Sequence, residues 1–115
     1  MPYVSITTAK KIDNPTREKL NQEICGIMTI LPGKNKDNTL LCIIDGKPMY
    51  KSGVPNDGVF AEVRLYKQSP EENKKEFAQK MHAILKDTLS LPDDGCVYMN
   101  FIENETWAAN GKYLS

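Results

Sequence analysis

The residue at position two could act as a proton-transferring base. Removal of Met1 would give Pro2 a free secondary amine, and the proline ring would hold that nitrogen stiffly in place. A free α-amino group titrates at about pH 7.7 to 8.0, and both burial and a neighbouring positive charge lower the pKa of an amine. Such an amine would be neutral at about pH 7, where a well-matched base speeds proton transfer by about a hundred- to ten-thousandfold.

Two polar side chains near the C-terminus share one side of a predicted strand. Tyr98 and Asn100 stand at positions i and i+2 and so face the same way, whereas Val97, Met99 and Phe101 face the other way. A phenol and an amide on one face could hydrogen-bond to the same small molecule. Considered alone, Tyr98 and Asn100 are more simply explained as a cross-strand polar pair. Pro2 alone is likewise more simply explained as a signal for N-terminal processing.

The first half of the chain predicts a strand, a helix and a second strand. Positions 3–8 alternate between apolar and polar residues, as in a half-buried strand. Asn14 followed by Pro15 fits an N-cap and a first helical position. The residues that then recur at helical spacing are Leu20, Ile24, Ile27, Met28 and Leu31. Positions 39–44 form a continuous apolar run, which is typical of a buried, parallel-paired strand.

The second half repeats this order. Positions 59–65 alternate as a strand, and Ser69 to Glu72 has the sequence of a capping box with Pro70 at the first helical position. The apolar residues of the helix that follows are Phe77, Met81, Ile84 and Leu85. Positions 96–102 supply the last long strand. The sequence therefore predicts two β-α-β units in tandem.

This pattern predicts an α+β fold in one domain, residues 1–115. Because each unit needs a right-handed crossover, both amphipathic helices should pack on one face of a single four-stranded mixed sheet. The other face would be bare. An apolar sheet face of that size rarely stays in water, so sheets from several copies of the chain are expected to cover one another.

Composition narrows the classes of function. Fifteen basic residues balance fifteen acidic ones, so we expect no binding to nucleic acid or to an anionic membrane. Cys25, Cys42 and Cys96 are odd in number and lie in apolar runs, which predicts buried, reduced thiols. Their spacing predicts no metal site. No segment has the features of a signal peptide or a membrane span, so the expected location is the cytoplasm.

Four segments together carry a family resemblance. They are Pro2-Tyr3-Val4, Pro32-Gly33-Lys34, Met49 through Gly53, and Asp94 through Phe101. In a doubled β-α-β frame they resemble the first strand, the loop after the helix, the mid-chain turn and the last core strand of the macrophage migration inhibitory factor family, within the tautomerase superfamily. The resemblance spans essentially the whole chain.

The resemblance implies a cofactor-independent keto-enol tautomerase of the phenylpyruvate type. Pro2 would be the general acid/base for a small α-keto acid or its enol. Lys34 would pair with the substrate carboxylate and keep Pro2 neutral, with Lys36 as the alternative because the loop is longer here. Tyr66 falls where the family offers a backbone amide to the substrate.

The resemblance also implies a homotrimer with three active sites at the subunit interfaces. In the family, the positions of Tyr98 and Asn100 reach into the site of the neighbouring subunit. Trp107 and Tyr113 would then be candidates for the apolar wall around an aromatic substrate ring.

Two alternative functions remain open from the sequence. One is dehalogenase, hydratase or decarboxylase chemistry, which also uses the terminal proline but needs further Arg or acidic residues. Arg17 and Arg64 are the only arginines in the chain, and Arg64 lies on a predicted strand beside the pocket. The other is a cytokine-like signalling protein with residual tautomerase activity, whose partner would be a protein receptor. Family members can leave cells without a signal peptide, so secretion would be compatible with this alternative.

Overall fold

Four long strands form one mixed sheet, and two helices cover one of its faces. The computed structural model describes residues 1–114. In chain order the elements are β1 (Pro2–Thr8), α1 (Asn14–Ile27), β2 (Leu40–Ile44), β3 (Tyr50–Lys51), β4 (Val54–Pro55), β5 (Val59–Tyr66), α2 (Glu71–Thr88), β6 (Val97–Asn104), β7 (Ala108–Ala109) and β8 (Lys112–Tyr113). The sheet order is β2-β1-β5-β6. β1 is parallel to β2 and antiparallel to β5, and β5 is parallel to β6. The predicted fold class is confirmed.

The core lies between the sheet and the helices. β5 shows why, because its residues alternate strictly between buried and accessible. Most of the predicted helical stripe is confirmed, since Leu20, Ile24, Phe77, Met81 and Leu85 are all fully buried. Ile27 and Ile84 are only partly buried, and α1 ends at Ile27, so that the buried Met28 and Leu31 lie beyond it. Phe77 also meets Phe101 of β6 edge to face, with 5.9 Å between the ring centroids. Burial of each such side chain contributes about 1.5–3 kcal/mol relative to exposure.

Both helix starts differ from the prediction. The cap of α1 is Asp13, one residue before Asn14, and the Asp13 carboxylate accepts the N–H of Thr16 at 2.9 Å. The pattern was ambiguous because Asp and Asn are equally good caps and proline fits either of the first two helical positions.

The capping box predicted for α2 is wrong. Pro70 occupies the cap position and offers no side-chain cap. A residue before proline is driven to extended backbone, and Ser69 instead donates its N–H to Oε2 of Glu103 at 2.6 Å. The same carboxylate accepts from Nζ of Lys74, also at 2.6 Å. A buried ion pair therefore fastens the start of α2 to β6.

The cysteines are only partly as expected. Cys25, Cys42 and Cys96 are all free, but each is partly accessible, so the prediction of buried thiols is wrong. Cys42 shows the reason. It lies on the side of β2 away from the helices, whereas the apolar run had predicted a strand covered on both faces.

The second face of the sheet is uncovered in the single chain. We call it the open face and define it by the outward residues of the four long strands. These are Tyr3, Ser5, Thr7, Leu40, Cys42, Ile44, Phe60, Glu62, Arg64, Tyr66, Tyr98, Asn100, Ile102 and Asn104. Large side chains such as Leu40 and Tyr98 are exposed there. The structure confirms that this face is bare within one chain; its covering by other copies of the chain stays a prediction.

Short hairpins and one asparagine organise the remaining loops. The turns at Ser52-Gly53 and Asn110-Gly111 have positive φ at both residues, which suits the twist of two-residue hairpins. Asn56 joins two loops, since its Nδ2 donates to the carbonyl of Asp94 and its Oδ1 accepts from the N–H of Cys96. Among residues 1–114, no helix combines the length and apolar character that crossing a membrane requires.

Candidate active site

Pro2 begins the central strand β1 and is buried. It lies opposite Leu65 of β5 in the antiparallel register. A proline is accommodated at the first position of a strand because it has no N–H to contribute to the ladder. Next to it, the carbonyl of Met1 accepts the backbone N–H of Tyr66 at 3.3 Å. The amino terminus is thus held at the end of β5.

Lys34 reaches the same place from the loop after α1. The chain turns at Gly33, where φ is 78°, and the N–H of Lys34 donates to the carbonyl of Leu31 at 3.0 Å. From there Nζ of Lys34 donates to the carbonyl of Tyr66 at 3.1 Å. Lys36, the alternative, begins the 3₁₀ turn Lys36–Asn38 and lines a different groove, beside Cys25. Of the two lysines, the structure therefore places Lys34 at the amino terminus.

The surroundings lower the pKa of the amino terminus. Burial is the larger cause, and the positive charge of Lys34 adds to it, so that the pKa of the Met1 amine falls below its ordinary value of 8.0. Both effects disfavour the protonated amine. The neighbouring nitrogen of Pro2 would experience the same surroundings if Met1 were removed.

Tyr98 and Asn100 lie far from Pro2 within one chain. Both point outward from β6 on the open face, and Tyr98 is 59% exposed. Tyr98 lies opposite Phe60, whereas Pro2 lies opposite Leu65. Five strand positions separate them along β5, which corresponds to about 16 Å at about 3.3 Å per residue. The single chain does not bring these side chains together with Pro2.

The two aromatic residues of the tail take different positions. Trp107 precedes β7 and lines a shallow groove on the open face with Tyr3, Leu40 and Arg64. The carbonyl of Trp107 also accepts the N–H of Leu114 at 2.8 Å, which closes the tail hairpin formed by β7 and β8. Tyr113 pairs with Ala108 and is 66% exposed. Trp107 therefore lies in the groove beside Tyr3 at the start of β1, whereas Tyr113 is not among the residues that line this groove.

Arg64 is already neutralised by a neighbour. Its Nε lies 2.6 Å from Oε1 of Glu62, two residues earlier on the same strand and on the same open face. Dehalogenase or hydratase chemistry would need a guanidinium free to hold a second carboxylate or to act on water. The pairing weakens that alternative.

Lys67 was missed by the sequence reasoning. It follows β5 directly, its Nζ lies 5.3 Å from the ring centroid of Tyr66, and its φ is 68°. A lone lysine after a predicted strand reads as a solvated charge, and no residue-type signal marks it. Only the positive φ and the side chain's return over Tyr66 distinguish it from other surface lysines.

Sequence comparison found no relatives. No protein-family model matches the chain, and no curated protein does either. Structural comparison, by contrast, gives many matches along nearly the full length.

Three of these matches show the similarity in fold and the low sequence identity. Leishmania major MIF2 superposes with a TM-score of 0.88 at 17% identity, covering 97% of this chain and 96% of the other. Pt0534 inactivated by 2-oxo-3-pentynoate gives 0.81 at 13% identity, with 97% and 95% covered. A fused 4-OT asymmetric trimer gives 0.79 at 11% identity, with 96% and 94% covered. The chain has the tautomerase fold, in the form found in macrophage migration inhibitory factors.

Proposed function

We propose that the protein is a keto-enol tautomerase of the macrophage migration inhibitory factor family and that Pro2 is its general acid/base once Met1 is removed. The observation that carries the proposal is the convergence at one end of β5. There the amino terminus, Nζ of Lys34 and the backbone of Tyr66 meet. The substrate is a small α-keto acid or its enol, and phenylpyruvate is the natural test compound.

The proposed proton transfer uses Pro2 as the base and Lys34 as the carboxylate-binding residue. The neutral Pro2 nitrogen removes a proton from the carbon beside the keto group, so that a C–H bond breaks and an N–H bond forms. The C–H electron pair forms the C=C bond and the C=O electron pair moves onto oxygen, which receives the proton from the Pro2 nitrogen to give the enol. In reverse, Pro2 takes the proton from the enol O–H and delivers it to the carbon to give the keto form. Lys34 holds the carboxylate, because an ammonium with one donor on Tyr66 has two donors left.

The developing charge on the oxygen needs a hydrogen-bond donor. The N–H of Tyr66 is suited to this role, since in the presence of Met1 it already donates to a carbonyl oxygen at 3.3 Å. Tyr98 and Asn100 supply further donors from a neighbouring subunit. Donors fixed before the reaction stabilise a developing oxyanion without reorganisation.

The proposed assembly is a homotrimer with sites between subunits. It would cover the open face, and it would remove the separation of about 16 Å that keeps Tyr98 from Pro2 within one chain. Trp107 and Tyr113 would then line the wall for the substrate ring. Light scattering should give a particle of about three times the 13.0 kDa chain mass.

The test follows the ultraviolet absorbance of phenylpyruvate enol with protein whose intact mass shows that Met1 is absent. Decay that disappears in Pro2→Gly is the expected result. A matched control is the protein with Met1 retained, because an acylated proline nitrogen has no basic lone pair and should give no decay. Equal activity with and without Met1 would contradict the proposed mechanism.

A further inference from the structure

Two lysines flank Tyr66 at the amino terminus. Nζ of Lys34 donates to the Tyr66 carbonyl at 3.1 Å, and Nζ of Lys67 lies 5.3 Å from the centroid of the Tyr66 ring. The first lysine arrives from the loop after α1, and the second from the turn after β5. Two separate segments therefore bring positive charge to one residue of the site.

Neither charge is neutralised by a carboxylate. The ion pairs within 4.0 Å that the described residues form involve Arg17, Arg64, Lys74 and Lys86. Lys34 and Lys67 are absent from these pairs, as are most of the other lysines, and what sets these two apart is that both contact Tyr66. Uncompensated cations beside a site favour an anionic ligand, and two of them favour a ligand with two anionic groups.

The backbone at Lys67 adds an independent observation. Its φ of 68° lies in the left-handed region, where a glycine would be unstrained. The backbone contact there, from the N–H of Lys67 to the carbonyl of Asn104 at 2.8 Å, would be made equally well by glycine. A strained residue with no backbone reason is most simply explained by what its side chain does.

We propose that Lys67 is a specificity-determining residue that binds the distal carboxylate of a 2-oxo dicarboxylic acid. The inference rests on the proposed function, since Lys34 takes the carboxylate next to the keto group in the same site. Lys67 then binds the second carboxylate at the far end of the substrate. The preferred substrate class is 2-oxo diacids rather than 2-oxo monoacids.

The experiment compares hydrogen exchange at C3 for matched acids in D₂O. The probes are oxaloacetate, 2-oxoglutarate and 2-oxoadipate, each paired with the 2-oxo monoacid of equal chain length, and exchange is followed by NMR with Met1-free protein. For at least one length, the diacid should exceed its monoacid in kcat/KM by about tenfold, the factor for one charge-assisted hydrogen bond of about 1.4 kcal/mol.

Variants at Lys67 then test the assignment. Lys67→Gln should reduce the diacid-to-monoacid ratio to about one, and Lys67→Glu should invert it by like-charge repulsion. Lys75→Gln, which alters an exposed lysine on α2, should leave the ratio unchanged. Lys67→Gly should lower the ratio as Lys67→Gln does, yet it should match or exceed the wild type in Tm because the backbone strain is relieved.

The outcomes separate this inference from the proposed function. Exchange of the monoacids with no preference for any diacid would overturn the role of Lys67 alone, as would a preference that survives in Lys67→Gln. A large loss of Tm in Lys67→Gly would indicate a structural role instead. If Met1-free protein exchanged none of the six acids and left phenylpyruvate enol unchanged, the tautomerase proposal itself would be wrong.

Discussion

The distance between Pro2 and Tyr98 along the sheet predicts that one site uses residues of two subunits. Pro2 lies opposite Leu65, whereas Tyr98 and Asn100 lie opposite Phe60 and Glu62. At about 3.3 Å per residue, these offsets of five and three positions correspond to about 16 Å and about 10 Å. No side chain bridges such gaps while its strand stays in register, so the proposed site would need Tyr98 and Asn100 from a neighbouring copy.

Trimers that contain two different variants give a quantitative test of this geometry, namely the fraction of sites that are complete. One variant, Pro2→Gly, replaces the stiffly held secondary amine of Pro2 with a flexible primary amine, and the other, Tyr98→Ala with Asn100→Ala, lacks the donors from β6. Each homotrimer should be nearly inactive. If equal amounts of subunits assemble at random, the chance that an intact Pro2 meets intact Tyr98 and Asn100 is one half times one half. About a quarter of the sites should therefore be complete.

The assay is the decay of phenylpyruvate enol after the two variants are unfolded together, refolded and purified as trimers. Activity of about 25% of the wild type, per site, is the expected result. The control is the same mixture prepared from trimers that were folded separately and then combined without unfolding. If the refolded mixture shows only the average of its two parents, the site lies within one chain and the reasoning from strand register is wrong.

Three further predictions concern single residues. Lys34→Gln should move the acid limb of the pH–rate profile to higher pH. Burial is the larger cause that lowers the pKa of the amino terminus and the charge of Lys34 is the smaller one, so removing that charge raises the pKa of the base, which is then protonated over more of the pH range. A raised KM with an unmoved acid limb would limit Lys34 to carboxylate binding. Glu103→Gln should lower the free energy of unfolding by about 2–3 kcal/mol at neutral pH in urea titrations, since it leaves Lys74 poorly compensated at 10% side-chain exposure. Burial acts to raise the pKa of Glu103, but hydrogen bonds from Lys74 and Ser69 outweigh it, so the pKa is lowered. The stabilisation from Glu103 is therefore present above the unfolded pKa of about 4.3 and should disappear as the pH falls through the folded pKa. An equal loss of unfolding free energy in Glu103→Gln at neutral and strongly acidic pH would contradict this. Gly95→Ala should destabilise the fold by about 1–3 kcal/mol, because the added Cβ would lie 2.9 Å from the carbonyl oxygen of Asp57. The control is Gly26→Ala, whose Cβ would meet no neighbouring residue within 4 Å outside its own helix turn, so this variant should be neutral or stabilising in the same titration.

Much of the fold could be predicted because local signals agree with the global arrangement. The alternation in β1 and β5 and the helical stripe of Leu20, Ile24, Phe77 and Met81 are readable from periodicity, which reports which face meets a core. The right-handed crossover rule then leaves few topologies. Two errors fell at the starts of helices, and a third was the expectation that the thiols, including that of Cys42 in β2, are buried. At Ser69, a competing acceptor on Glu103, distant in sequence, took the N–H that the local pattern had assigned to a cap.

For the candidate site, too, periodic local features could be predicted from the sequence, whereas contacts between distant segments could not. The sequence by itself determined that Pro2 would stand at the start of a strand and that Tyr98 and Asn100 would share a face, because both follow from position and from the two-residue period of a strand. It left Lys34 and Lys36 undecided and gave no reason to notice Lys67. Only the tertiary structure decided that Lys34 and Lys67 meet at Tyr66, since the first contact joins residues 32 positions apart and the second depends on a positive φ. Loop closure and backbone handedness at a single residue have no periodic signature, so folding alone brings Nζ of Lys34 to the Tyr66 carbonyl and Nζ of Lys67 over the Tyr66 ring.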